Sequence, residues 1–160
     1  MNVEGLLARA RAAGIMIAAA ESCTGGMVMA ALTAVPGSSD VVDRGFVTYS
    51  NAAKIEMLGV SPKTLRRHGA VSTEVAAEMA EGALRNSGAQ LAVSITGIAG
   101  PGGSEHKPEG RVCFGVARSG APVQAEMRDF GTLGRAGVRR AACDHALALL
   151  ITALRTGSAV

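Results

Sequence analysis

A chain of 160 residues, 48 % hydrophobic and carrying a formal net charge of +3, is long enough to bury a core without a disulfide framework or structural metal. One Tyr, three Phe and no Trp leave no stacking platform for single-stranded nucleic acid, and the scattered Lys and Arg residues suit a small anionic ligand better than a polynucleotide. The longest apolar runs, 15–20 and 146–153, fall well below the roughly 20 residues that cross a bilayer, and the N-terminus lacks a secretory pattern; the expectation is one cytoplasmic domain over 1–160 that touches no membrane.

In chain order, residues 3–13 read as an amphipathic helix stopped by Gly14, a residue suited to the left-handed helix end. Residues 15–20 are a continuous apolar run, the mark of a central strand covered on both faces. A turn at 21–24 opens a helix to about residue 34, broken by Pro36-Gly37, and 45–50 alternates as a second strand. A short helix over 52–57 is followed by Ser61-Pro62, an N-cap and first-turn proline for a helix that stops at Gly69. Residues 73–86 place Val75, Ala76, Met79, Ala80, Ala83 and Leu84 on one stripe of an amphipathic helix. A third strand, 91–96, enters the glycine-rich loop 97–110; strands 112–118 and 124–130 form a hairpin through Ser119-Gly120-Ala121-Pro122, and a helix over 134–155 closes the chain. This alternation predicts an α/β fold, a three-layer α/β/α sandwich around a mixed, mostly parallel five-stranded sheet. Ligands of such sheets gather at the strand C-termini.

Cys23, Cys113 and Cys143 are odd in number and lack CxxC spacing, which argues against disulfides and zinc and leaves them as reduced, mostly buried thiols. No metal and no cofactor are expected. The chemistry therefore rests on three polar loops that follow three strands: 21–26, then 48–51 with Lys54 beyond, and 96–110.

The first loop delivers Ser22 to a helix N-terminus, where the N–H groups of Thr24, Gly25 and Gly26 are placed to hold a developing oxyanion and the glycines let a ligand come close. The alternative is that Ser22 or Thr24 merely caps the helix. His68, His106 and His145 fall at a helix end, in a loop and mid-helix, so a Ser-His-Asp triad is not expected. Lys54 is the other candidate base. A lysine ordinarily titrates near ~10.4, so this role requires burial to suppress its charged form; otherwise Lys54 is a solvated helix residue. Tyr49, the lone tyrosine, lies close enough in sequence to relay the proton or orient the ammonium group. Cys23, which with Glu21 flanks Ser22, is the second candidate nucleophile, acting with the glutamate and Lys54. In the third loop Gly100, Gly102, Gly103 and Ser104 offer backbone N–H groups to ribose or phosphate. Arg135 and Arg139 stand one turn apart on the last helix, either gripping a phosphate or forming a solvated basic face.

Four strings, AESCTGG at 20–26, GFVTYSNAAK at 45–54, HGAVS at 68–72 and SITGIAGPGGS at 94–104, closely resemble the C-terminal domain of the competence/damage-inducible CinA family, over nearly the whole chain. Stand-alone members of that family are nicotinamide-nucleotide amidases, which convert nicotinamide mononucleotide to nicotinate mononucleotide and ammonia in pyridine-nucleotide salvage. The resemblance implies Ser22 as nucleophile, Lys54 as base, Tyr49 as assisting hydroxyl, and Thr96 and Arg135 near a small-molecule nucleotide substrate. Two other readings stay open: a non-catalytic nucleotide-binding or regulatory module of the same fold, and an amide hydrolase dependent on Cys23. Exposed apolar faces on so small a domain lead us to expect a homodimer or higher assembly.

Overall fold

The computed structural model describes residues 2–104 and 106–156; the remainder of the expected span 1–160 lies outside the described residues. The elements run α1 (Val3–Ala13), β1 (Ile17–Glu21), α2 (Met27–Thr33), a 3-10 turn at Ser38–Asp40, β2 (Val42–Val47), α3 (Asn51–Leu58), α4 (Pro62–His68), α5 (Thr73–Arg85), β3 (Leu91–Gly97), β4 (Arg111–Arg118), β5 (Gln124–Asp129) and α6 (Gly134–Thr156). The strand order is β2-β1-β3-β4-β5. β1 pairs in parallel with β2 and β3, whereas β3–β4 and β4–β5 are antiparallel. The sheet is thus mixed in equal parts by pairing and not mostly parallel. The physical reason is that loop 98–110 contains no crossover helix, so β4 returns antiparallel beside β3, and the 119–122 turn folds β5 back on β4.

Every residue of β1 is buried. Its side chains divide by alternation: Ile17 and Ala19 join a cluster with α1, α2 and α6, while Ala18 and Ala20 join one with α4 and α5. The two faces differ in bulk. On the first, β3 presents Leu91, Val93 and Ile95; on the second it presents Ala92 and Ser94, whose hydroxyl donates to the Ala76 carbonyl of α5. A Cβ on Gly115 of β4 would come within 2.3 Å of that same carbonyl oxygen. Small residues therefore let α5 lie close on the sheet.

Local chemistry sets where elements begin. Gly14, in the left-handed conformation, closes α1 by donating to the Ala10 and Arg11 carbonyls, and Ile15 N also donates to Ala10; Ile15 thus belongs to the helix end and β1 starts two residues after the apolar run does. Gly25 at φ +60 and Gly26 at φ +104 delay α2 until Met27, three residues beyond the expected start. β2 ends at Val47, earlier than expected, because Thr48 N makes the last bond to Glu21 O and the Ser50 side chain then caps α3 by accepting from Ala53 N. Among the described residues no helix is long and apolar enough to cross a membrane. Cys23, Cys113 and Cys143 are buried free thiols.

Candidate active site

Because β1, β2 and β3 are parallel neighbours, their C-terminal ends lie along one edge of the sheet, where they release Ser22, Thr48-Tyr49 and the loop after Gly97. Lys54 enters from the first turn of α3 and is only 1 % exposed. Its Nζ donates to Ser22 Oγ at 3.0 Å, to the Thr48 carbonyl at 2.9 Å and to the Tyr49 carbonyl at 3.4 Å. No carboxylate among the described residues pairs with it. Burial holds its pKa below the ordinary 10.5, only partly opposed by attraction to the Cys23 sulfur.

Two of these three contacts fix the protonation geometry. Carbonyl oxygens only accept, so two N–H bonds of a neutral amine are spent on Thr48 and Tyr49, and its lone pair is left for the Ser22 O–H. The arrangement is that of a serine with an adjacent base. Lys54 is therefore not the solvated helix residue of the alternative reading, and Ser22, 8 % exposed, is not a helix cap: the cap of α2 is Glu21.

Glu21 is the site residue least visible in the sequence. Its side chain is fully buried, and its carboxylate accepts from Gly26 N at 3.2 Å, Val28 N at 3.0 Å and Met29 N at 3.1 Å, satisfying the orphan donors of α2 with the charge that a helix N-terminus favours. An acid directly between an apolar strand and a glycine-broken helix start was the available signal. This capping alters the expected oxyanion site. Gly26 N is committed to Glu21 and Gly25 N donates to Ser22 O at 3.1 Å. Within this turn, the N–H groups of Cys23 and Thr24 are the two that hydrogen-bond to no other described residue. Gly25 and Gly26 serve the left-handed turn rather than ligand approach.

Tyr49 is 63 % exposed, and its hydroxyl accepts from Arg135 Nη2 at 2.8 Å; the contact with Lys54 is made by the Tyr49 carbonyl, not by the phenol. Arg135 Nη1 also donates to Gly100 O at 2.8 Å, so one guanidinium spans from the β2 loop to the glycine loop. Arg139 does not join it. Its Nε donates to Cys23 O at 3.0 Å and its Nη2 to Thr24 O at 3.3 Å, so it reaches the turn after β1, whereas Arg135 lines the cleft.

A cavity of ≈ 180 Å³ holds Ser22, Cys23, Asn51, Lys54 and Thr96. It continues through Tyr49, Ala70, Val71 and Arg135 into a lobe of ≈ 360 Å³ walled by Gly100, Gly102, Gly103 and Ser104, a combined size suited to a small-molecule ligand. Thr96 Oγ1 donates to Ala70 O at 2.9 Å, tying β3 to that wall. The Ser104 N–H is spent on Lys107 O, but those of Gly102 and Gly103 bond to no described residue. Asn51, Ala70 and Val71 also line the cavity, and nothing in their residue types marks them out in advance. Cys23 also borders the cavity, yet burial pushes its thiol up to about 11, which keeps it protonated near neutral pH.

The CinA C-terminal domain family matches residues 2–154 of the chain. A CinA-like protein of Chlorobium phaeobacteroides (strain BS1) is 56 % identical over 124 residues, covering 76 % of this chain and 30 % of that protein. The chain spans about a third of the length of several such relatives. The nicotinamide-nucleotide amidohydrolase PncC of Enterobacter agglomerans is 54 % identical over 121 residues, covering 75 % of this chain and 74 % of that one. Among solved structures, the competence/damage-inducible protein CihA of Agrobacterium tumefaciens superposes with a TM-score of 0.89 at 47 % identity, covering 97 % and 96 % of the two chains.

Proposed function

The chain belongs to the CinA C-terminal domain family, and from that premise we propose that it is a serine amidohydrolase that converts nicotinamide mononucleotide to nicotinate mononucleotide and ammonia. The observation that carries this reading is the buried Lys54 Nζ, held by two backbone carbonyls with its remaining contact on Ser22 Oγ at 3.0 Å. The substrate class is drawn from the relative named as a nicotinamide-nucleotide amidohydrolase.

Ser22 Oγ attacks the carboxamide carbon while neutral Lys54 takes the hydroxyl proton, and the carbonyl π electrons move to oxygen. The Cys23 and Thr24 N–H groups stabilise that oxyanion. As the tetrahedral species collapses, the C–N bond breaks and the Lys54 ammonium returns its proton to the leaving nitrogen, which departs as ammonia. Water then attacks the acyl-enzyme, giving a proton to Lys54, and as the C–O bond to Ser22 breaks the Lys54 ammonium returns that proton to Ser22 Oγ, releasing the acid and restoring the neutral amine. Arg135 and the N–H groups of Gly102 and Gly103, which bond to no described residue, hold ribose and phosphate; Thr96 keeps the cleft wall in place, and Tyr49 orients Arg135. Every proton in this scheme has a side chain to carry it, so EDTA should leave turnover unchanged.

A coupled ammonia assay on nicotinamide mononucleotide tests the reading. Wild type should release ammonia, Ser22→Ala should lose at least about 10³-fold in kcat, and Cys23→Ala should keep most activity. Loss with Cys23→Ala and retention with Ser22→Ala would transfer the nucleophile to Cys23. Absence of turnover in wild type would favour the non-catalytic nucleotide-binding module.

A further inference from the structure

Arg139 stands one helical turn beyond Arg135, yet its guanidinium reaches the backbone of the nucleophile turn, at the Cys23 and Thr24 carbonyls. The guanidinium lies against Gly25, 3.4 Å from where a Cβ would stand, and it is the φ of +60 that calls for glycine there. Glu21, for its part, holds the N–H groups of Gly26, Val28 and Met29. Two charged side chains from different elements therefore anchor five backbone groups in and just beyond a turn of four residues, a cation on its carbonyls and an anion on its amides.

That anchoring has a chemical direction. In a trans peptide the C=O and N–H bonds point in opposite senses. Binding of Cys23 O by Arg139 thus fixes where Thr24 N–H points, and a charged donor on the carbonyl polarises the same peptide and strengthens its N–H as a donor. The Ser22–Cys23 peptide is fixed likewise, through the bond from Gly25 N to Ser22 O. Both N–H groups left without another described partner belong to peptides held from behind at their carbonyls.

We propose that Arg139 is a positioning residue for amide hydrolysis, aiming and polarising the Thr24 N–H toward the tetrahedral oxyanion, and that it takes no part in holding the substrate's phosphate. The proposal rests on Ser22 being the nucleophile. It separates Arg139 from Arg135, although both lie on one helix face.

The test measures kcat and KM of Arg139→Gln and Arg139→Lys on nicotinamide mononucleotide and on the phosphate-free nicotinamide riboside. A parallel arm follows labelling of Ser22 by phenylmethylsulfonyl fluoride by mass spectrometry, with Ser22→Ala as the blank. Arg139→Gln should lower kcat about 10- to 100-fold on both amides, less than outright removal of an oxyanion donor, with KM moving less than about twofold and Ser22 labelling slowed in step. Arg139→Lys, which keeps the charge and thermal stability but lacks the fork that spans two carbonyls, should lose kcat in the same way. Added methylguanidinium should restore part of kcat to Arg139→Ala. A rise in KM confined to the mononucleotide, with kcat and labelling unchanged, would make Arg139 a phosphate ligand and overturn the proposal; unchanged kinetics would overturn it equally. If wild type labels at Ser22 but turns over neither amide, the substrate reading fails while the labelling rates still decide the role of Arg139. Absence of both turnover and labelling would sink both.

Discussion

Lys54 is a side chain that is ordinarily cationic, buried with no carboxylate partner among the described residues. Its lowered pKa, caused chiefly by burial, links activity to stability. Between the folded-state value and the unfolded value near 10.5, the unfolded chain binds more protons than the folded one, so this residue makes stability rise with pH through that window and weakens the fold most below it. Lys54→Met removes the titration. Turnover should fall by at least about 10³-fold, and the urea midpoint of the variant relative to wild type should be most favourable at the lowest pH and decline as pH climbs toward 10.5. A pH-independent difference between the two proteins would contradict the assignment of the lowered pKa to Lys54. Cys23, its thiol held near 11, is a buried neighbour in this scheme and contributes packing.

Among the elements, α5 shows how close packing overrides local propensity. Gly82 lies inside this helix, where alanine is favoured by about 1 kcal/mol, but a Cβ there would sit 2.0 Å from the Leu58 carbonyl oxygen at the end of α3. Gly82→Ala should therefore destabilise the protein, by about 1–3 kcal/mol in denaturant unfolding, and a stabilised variant would mean that α3 and α5 are less tightly held than described. The capping of α2 gives a second prediction at this scale. Glu21→Gln replaces a buried acceptor-only group by one whose NH₂ end faces amide donors, and should cost about 1–3 kcal/mol; an unchanged urea midpoint would remove Glu21 from its role as the cap. Punctuation residues made most elements legible in the sequence: Gly14, Ser61-Pro62 and Gly69 bounded α1 and α4 to within a residue, and the stripe from Val75 to Leu84 located α5. The boundaries that shifted were set by local backbone and cap geometry: the Gly14 helix end at the start of β1, the positive φ of Gly25 and Gly26 at the start of α2, and the Ser50 cap at the end of β2. Sequence spacing put Arg135 and Arg139 on one face of α6 but not the targets they reach, because those are loop carbonyls whose positions depend on Gly25 and Gly100. Ser22 and Lys54, 32 residues apart, were legible as chemical candidates, whereas their meeting depended on the parallel β1–β2 pairing.

At the scale of the whole molecule, the cleft joins the first third of the chain to its last helix: the turn after β1 supplies Ser22, the first turn of α3 supplies Lys54, and α6 supplies the arginine that closes the far wall through Tyr49 and Gly100. A ligand spanning both lobes binds only the assembled sheet and helix, so it stabilises the fold by mass action. Nicotinate mononucleotide at about 100 times its Kd should add about 2.7 kcal/mol, read as a rise in Tm that shrinks for Arg135→Ala at the same concentration. No rise at any millimolar concentration would place the nucleotide outside this cleft. All of the proposed chemistry depends on Lys54 being a neutral amine when it meets Ser22. The direct measurement is the NMR titration of the Lys54 amine in the folded protein alongside the pH profile of kcat/KM. The account predicts a midpoint below 10.5 that coincides with the acid limb of the profile, the signal vanishing in Lys54→Met; an amine titrating at or above 10.5 while ammonia release stays rapid at neutral pH would contradict it.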